Sequence, residues 1–196
     1  MPMIIFGVVL KFSDSKSYQG LGKILLGLGF VFLGIAYMKD GFEVLQKTLD
    51  MSKFAVEGYL GAFVYISLGI IATVIMQSSS ATMALIITAL ATNQIVYINA
   101  LELAIGANVG TTVTAVLGSI SSNANGKRVA LAHFIFNIVT AAVAIIFLYQ
   151  LSDLTVYLAS KIGIDDNDYA MKLSLFHTIF NVLGGADSLS FYAQAR

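Results

Sequence analysis

Apolar residues fill this chain in long blocks, and the gaps between its charged residues divide it more sharply than any helix or strand propensity. The segment 58–101 holds no Asp, Glu, Lys or Arg over 44 residues and is bounded by Glu57 and Glu102. As one helix rising ~1.5 Å per residue it would reach roughly 66 Å, about twice the hydrocarbon thickness of a bilayer, so it must turn back on itself. Further uncharged runs cover 103–126 and 129–152, each long enough for one crossing, and shorter ones cover 24–38 and 173–186. None shows the strict alternation of a barrel strand, and backbone in lipid must satisfy its own hydrogen bonds. The pattern predicts an all-α polytopic membrane protein of roughly five or six helical pieces.

Those pieces differ in character. The opening one, 3–12, is too short to cross unaided; no positive residues precede it and no small-residue cleavage site follows, so it does not read as a signal peptide. The next, 21–38, carries Gly22, Gly27, Gly29 and Gly34, and small residues on one helix let another approach closely, which reads as a packing face. Segment 39–53 mixes Asp40, Glu43, Lys47 and Asp50 with apolar residues at helical spacing and reads as an amphipathic interfacial connection. Solvent-facing links are expected at 123–128 and 153–168. Lys11, Lys16 and Lys23 precede the second helix and Lys39, Lys47 and Lys53 follow it, so positive charge leaves the orientation open.

Two polar clusters interrupt the apolar sequence. QSSSAT at 77–82 is followed by an apolar piece, 83–91, of roughly 13 Å as helix, too short to cross. With Thr92, Asn93 and Gln94 at an interface, the serines lie near mid-membrane. GANVGTTVT at 106–114 again sets glycine and polar residues between apolar flanks. Non-helical backbone at lipid depth is tolerated only where protein buries it or it lines a cavity. Both clusters are therefore expected to break helices and to face each other across a binding site.

The chemistry of such a site follows from helix ends. A half-helix starting after Thr82 would aim free N–H groups and a positive dipole end at an anion, with Ser80 and Thr82 adding hydroxyls. The half-helix ending near Gln77 would leave carbonyls for a hard cation such as sodium. Gly106 and Gly110 permit backbone geometry closed to other residues, and Asn108 offers both donor and acceptor. An anion beside a cation at helix ends is the arrangement of a coupled secondary transporter. The plainer reading treats Ser and Thr as interhelical glue worth about 0.6 kcal/mol each; it fits one such residue better than two clusters flanked by segments too short to span.

Composition narrows the classes further. Of 196 residues, 58% are hydrophobic and 11% charged, with a mean hydropathy of +0.84, which excludes an ordinary soluble domain and a disordered chain. Net charge is zero, leaving no basic surface for nucleic acid. There are no cysteines, hence no disulfides or thiolate metal sites. The two histidines open a short internal repeat, HFIFN at 133–137 and HTIFN at 177–181. In each, His and Asn at i and i+4 share a helix face, suited to bonding the exposed backbone of a broken helix rather than to holding a metal. Glu102 reads as a cation ligand or coupling group, because intramembrane acids are functional by default, while its nearness to Asn99 also suits an interface. Serines 78–80 with a histidine would imitate an intramembrane serine hydrolase, but no G-x-S-x-G turn surrounds them and no oxyanion hole is legible. A non-transporting assembly subunit is the third class.

At QSSSAT (77–82), GANVGTTVTA (106–115) and ALAHFIFN (130–137) the sequence resembles the sodium/phosphate cotransporter family, type II and its bacterial relatives. The similarity extends to the glycine-rich helix with Met38 and to LFHTIFN at 175–181. It implies one repeat of an inverted-repeat secondary transporter with broken helices and a re-entrant hairpin. The expected division is a single transmembrane domain over 1–196, with the hairpin and broken helix in 54–120, a two-helix continuation in 129–186 and an atypical tail, 187–196. It also implies sodium-coupled uptake of inorganic phosphate, not an enzyme activity, in a lipid bilayer, the bacterial inner membrane. Carried onto this chain, the substrate ligands are Ser78, Ser79, Ser80, Thr82, Asn108, Gly110 and Thr111, and the sodium ion falls to Gln77, Ser79, Asn108, Thr112 and Thr114. His133, Asn137, His177 and Asn181 act as supports. No Arg lies near either cluster, so hydroxyls, amides and helix ends must hold the anion. Family members carry two Gln-Ser-Ser-Ser units in inverted repeats. This chain has one, so it is expected to be an incomplete half, completed by a complementary half or, as a homodimer, by a second copy inserted the opposite way.

Overall fold

The computed structural model describes residues 2–48 and 58–194, and every regular element among them is an α-helix. They fall into two units, Met1–Leu49 and Asp50–Arg196.

The first unit is a helical hairpin, α1 (Pro2–Lys11) and α2 (Lys16–Thr48). The two run antiparallel with their backbones almost touching: a Cβ at Gly22 would lie 2.8 Å from the Gly7 carbonyl oxygen, and one at Gly29 would lie 2.5 Å from the Ile4 side chain. The packing face read from the sequence is thus carried by Gly22 and Gly29, answered by Gly7 on α1, whereas Gly27 and Gly34 face open space. The interfacial connection expected from residue 39 is no separate element as far as Thr48, because α2 continues through it for 33 residues; one glycine and no proline stand there to stop it. Residues 49–53 of that connection lie outside the described residues.

The second unit opens with α3 (Gly58–Met76), α4 (Ser79–Ala91) and α5 (Tyr97–Gly118). The uncharged segment does turn back on itself, between Met76 and Ser79. At its far end α4 closes in a Schellman motif: Asn93 takes φ +56°, Gln94 N–H donates to Ala89 O at 2.9 Å and Asn93 N–H to Leu90 O at 3.0 Å. Helix α5 then runs parallel to α3, since Gly106 meets Ile66 and Gly110 meets Ile70 and Thr73. It is buried nearly all round; Leu101, Ile105, Leu173 and Phe176 are the largest apolar side chains of the core.

Three helices complete this unit, α6 (Ala124–Ile146), α7 (Leu148–Lys161) and α8 (Tyr169–Gln194). The link expected at 123–128 is shorter than its bounds: Asn123 caps α6 by accepting from Gly126 N–H at 2.9 Å, which draws Lys127 and Arg128 into the first turn. The run 129–152 bends at Phe147, and most of the link expected at 153–168 is α7 instead. Its buried positions Leu148, Thr155 and Ala159 recur at helical spacing, so it folds as an amphipathic helix. The stretch 129–186, expected to hold two helices, holds α6, α7 and much of α8. The tail expected at 187–196 continues α8 through Gln194.

Among the described residues three segments are long and apolar enough to cross a bilayer, Lys16–Gly41 within α2, α5 and α6. Apolar side chains cover the outside of α6, with Val129, Ile135, Val139 and Ile146 all exposed, as in helices that meet lipid. The chain is an all-α membrane protein.

Candidate functional site

The first polar cluster is a helix break, as its sequence predicts. Gln77 ends α3 with φ +52°, left-handed backbone that costs a side-chain-bearing residue ~1–2 kcal/mol. Ser78 is extended (φ −155°, ψ 110°) and caps α4, its Oγ accepting from Ala81 N–H at 3.2 Å. Thr82 N–H donates to Ser78 O at 3.0 Å. Helix α4 therefore starts at Ser79, not after Thr82: a serine just past a left-handed residue caps a helix at once. The first N–H groups of α4, those of Ser79 and Ser80, are the ones a helix leaves unpaired.

The side chains of the cluster divide by role. Thr82 is buried, 1% exposed; its hydroxyl donates to Ser78 O at 3.1 Å and receives Thr73 Oγ1–H at 3.0 Å. It ties the two arms of the break together. Thr73, also buried, is a partner that sequence reasoning missed; like Ser67 it is a single hydroxyl in the apolar run ahead of QSSSAT, with nothing local to set it apart. Gln77 and Ser80 are exposed and Ser79 is half-buried, leaving these three groups open to a ligand.

The second cluster is not a break. Residues 106–114 lie inside α5, one continuous helix of 22 residues, and neither Gly106 nor Gly110 has a positive φ. Their role is close packing. A Cβ at Gly106 would lie 2.1 Å from Ile66 O, one at Gly110 2.7 Å from Thr73 Cβ, and one at Gly69, on α3, 2.2 Å from Leu103 O. Backbone-to-backbone contact of this kind holds the helix that glycine propensity alone would interrupt. Gly110 is thereby enclosed by α3 and has no room to meet a substrate. The contacts also set the level of the break: four residues beyond Thr73, about one turn past Gly110, it stands beside the later turns of α5 rather than beside its middle.

Nor do the two clusters simply face each other. Asn108 is two residues from both Gly106 and Gly110, about 200° round the helix, and turns away from α3. Its Nδ2–H donates to Asn181 Oδ1 on α8 at 3.1 Å. Thr111, Thr112 and Thr114 donate to carbonyls of their own helix, Ala107 O at 3.1 Å, Val109 O at 2.7 Å and Thr111 O at 2.7 Å, and Thr112 is fully buried. With their protons spent, these hydroxyls have only lone pairs to offer, which suit a cation better than an anion.

The histidine repeat is reproduced in three dimensions, with a different purpose from the one expected. Asn137 Nδ2–H donates to His133 O at 3.0 Å and Asn181 Nδ2–H to His177 O at 2.7 Å. Each Asn bonds back to its own helix and neither reaches the backbone of the break. A cavity of about 180 Å³ between α5, α6 and α8 is lined by Asn108, His133, Asn137, Thr140 and Asn181, with Phe136, Phe180 and Gly184. Among the described residues no group of three or more His, Asp or Glu forms a metal centre. Glu102 is buried at 6% exposure beside a similarly buried Asn99, and its Oε2 has no hydrogen-bond partner.

Comparison with known proteins agrees with this architecture. The family described as Na+/Pi-cotransporter matches residues 51–164. The uncharacterized protein YqeW of Bacillus subtilis (strain 168) is 26% identical over 170 residues, 85% of this chain and 50% of its own length. Sodium-dependent phosphate transport protein 2C of Mus musculus is 34% identical over 110 residues, 54% of this chain and 18% of its own. Sodium-dependent phosphate transport protein 2B of Homo sapiens is 33% identical over 99 residues, 48% of this chain and 14% of its own. The chain thus spans half the length of the bacillar relative and less than a fifth of the mammalian ones. No solved structure matches it. With both polar clusters and the first histidine pair inside the matched segment, the chain belongs to the Na+/Pi-cotransporter family.

Proposed function

We propose that this chain supplies one repeat of a sodium-coupled carrier for inorganic phosphate in a bacterial inner membrane, and works with a complementary half or a second, oppositely inserted copy. The observation that carries the reading is the break at Gln77–Ser78. A strained left-handed glutamine and a capping serine interrupt an apolar segment, and the new helix begins with unpaired N–H groups beside open hydroxyls.

Phosphate then sits at the start of α4, held by the N–H groups of Ser79 and Ser80, their hydroxyls and the Ser78 hydroxyl proton, with the Gln77 amide reaching in from the other arm. No cationic side chain is needed: the dipole end of α4 supplies partial positive charge where dielectric screening is weak. Thr82 holds the break's shape through Thr73. Sodium is drawn to the oxygens that are left as acceptors, the carbonyls at the end of α3 and the hydroxyls of Thr111 and Thr114, with Asn108 beyond them.

The test is ³²P-phosphate uptake into proteoliposomes with and without an inward sodium gradient. The chain is reconstituted alone and with a first-repeat chain, and wild type is compared with Gln77→Ala and Ser79→Ala. Sodium-stimulated uptake in one of those pairings, lost in both variants at unchanged folding, is the expected result. Uptake indifferent to sodium, or no uptake in any pairing, overturns it and leaves an assembly subunit as the reading.

A further inference from the structure

We infer that α7 is an interfacial helix. It lies along one surface of the bilayer with the stripe Phe147, Leu151, Leu154, Leu158 and Ile162 dipped among the upper acyl chains, and the lipid layer is the partner of that face. The inference goes beyond the transport reading and needs only that α5 and α6 cross the membrane.

The course of the chain sets the level of α7. Helix α6 starts at the α5–α6 link and has 23 residues, about 34 Å, which brings Ile146 to the opposite surface. Helix α5 crosses in the other direction and so begins at that opposite surface, at Tyr97. The Tyr97 and Tyr169 rings stand 5.5 Å apart, so α8 begins there too. One residue, Phe147, separates α7 from α6, and 162–168 join it to α8; α7 therefore starts and finishes at the same surface. Its 14 residues reach about 21 Å, short of the ~30 Å hydrocarbon core, and they include Asp153 and Lys161, so it does not cross.

Side chains divide the circumference of α7 in the way such a position requires. Leu148, Thr155 and Ala159 are buried. About a quarter turn round the helix run Phe147, Leu151, Leu154, Leu158 and Ile162, spaced four, three, four and four residues apart. Phe147, Leu154 and Ile162 are exposed and Leu151 and Leu158 half-buried, so protein leaves the stripe open. Opposite the buried side lie Gln150, Asp153, Tyr157, Ser160 and Lys161, all exposed, in a polar strip of roughly 100°. Tyr149 and Val156, on the fourth side, are exposed as well, and in water these flanks together would leave a large apolar surface wet. Lys161 Nζ stands 5.4 Å from the centre of the Tyr157 ring. Such a pair suits the headgroup level, with stem and ring along apolar surface and the charge toward phosphates. Continuity says what covers the stripe: Val139, Val143 and Ile146 form the exposed outside of α6, and Phe147 carries that surface directly onto α7. The lipid that meets α6 meets the stripe at its rim.

The experiment uses the absence of cysteine from the chain, which lets a single introduced cysteine carry a bimane label. Leu154→Cys and Ile162→Cys report the stripe, and Asp153→Cys and Ser160→Cys the polar strip. Val139→Cys, on the outside of α6, is the deep reference and Asn125→Cys, in the first turn of α6, the aqueous one. Each full chain is checked for folding by thermal unfolding and reconstituted at low density into phosphatidylcholine vesicles; Leu158→Cys replaces a stripe variant that does not fold. Stripe labels should be quenched about twofold or more better by lipid with a doxyl group near the top of its chain than by iodide present on both sides. Labels on the polar strip should show the reverse, and the Val139→Cys label should respond best to doxyl near the chain end. Iodide quenching of all four α7 labels puts the helix in water, and stripe labels quenched best from the chain end put it across the bilayer. Stripe labels shielded from both quenchers until the protein is diluted in lipid put a second copy on that face. Each of these three results overturns the inference, and none bears on whether phosphate is carried.

Discussion

Gly106→Ala tests the central packing claim, that α5 is continuous because glycines let it lie against α3. The added Cβ would stand 2.1 Å from Ile66 O and 2.9 Å from Ile66 C, where an ordinary carbon-to-oxygen contact needs about 3.3 Å or more. The obstacle is backbone, so no rotamer change relieves it, and the two helices must part by about 1 Å. A gap of that size forfeits a quarter to a half of each dispersion contact along the seam, and overpacked sites cost ~1–3 kcal/mol. Alanine returns up to about 1 kcal/mol of helix propensity, so a net loss of about 2 kcal/mol is expected. Gly118, in the same helix, has nothing within 4 Å of its would-be Cβ, and Gly118→Ala should be neutral or slightly stabilising. Gly69→Ala should cost about as much as Gly106→Ala, and the double variant less than the sum, because the first substitution has already parted the helices. Equilibrium unfolding in mixed micelles, followed by far-ultraviolet circular dichroism, reads all four. A Gly106→Ala protein within about 0.5 kcal/mol of wild type would refute the reasoning.

Other residues make sharp predictions too. Gln77→Gly removes the left-handed strain and should raise stability by up to ~1 kcal/mol while abolishing phosphate uptake; a less stable protein, or one that still transports, contradicts the assignment of that side chain to the ligand. Thr73→Val keeps the shape and deletes the bond to Thr82, for a loss of about 1 kcal/mol measured by thermal unfolding, and an unchanged midpoint would show that the bond does not hold the break. Glu102→Met removes a carboxylate oxygen that is buried without a partner and should stabilise the protein by ~1 kcal/mol or more; destabilisation in the same assay would mean that Oε2 is paired.

Much of this architecture was legible in the residues. A charge-free run longer than any single span had to fold back, and a Gln-Ser-Ser-Ser cluster without other punctuation marked where. The reading of GANVGTT failed for an identifiable reason. Glycine has poor intrinsic helix propensity and mid-membrane glycines suggest unwinding, but propensity is a weak prior, and here Ile66 and Leu103 carbonyls lie where any Cβ would sit. Such a contact belongs to a pair of helices and is invisible in either one. Asn108 and Asn181 are likewise 73 residues apart, so their pairing, and with it the cavity, has no local signature. Helix α7 was hidden by its charge: Asp153 and Lys161 argued for a loop, while the apolar stripe beneath them made a helix.

The two sides of α5 explain how one helix can serve two polar sites without being broken itself. Its glycine side carries α3, and through Thr73 that helix is bonded to the first turn of α4. Thr73 is thus where three elements meet: Gly110 packs on its Cβ, its backbone belongs to α3, and its hydroxyl holds Thr82. The opposite side carries Asn108 and is bonded to α8. A glycine seam on one side and a hydrogen-bonded one on the other let α5 stay one continuous helix while the break is confined to the junction of α3 and α4.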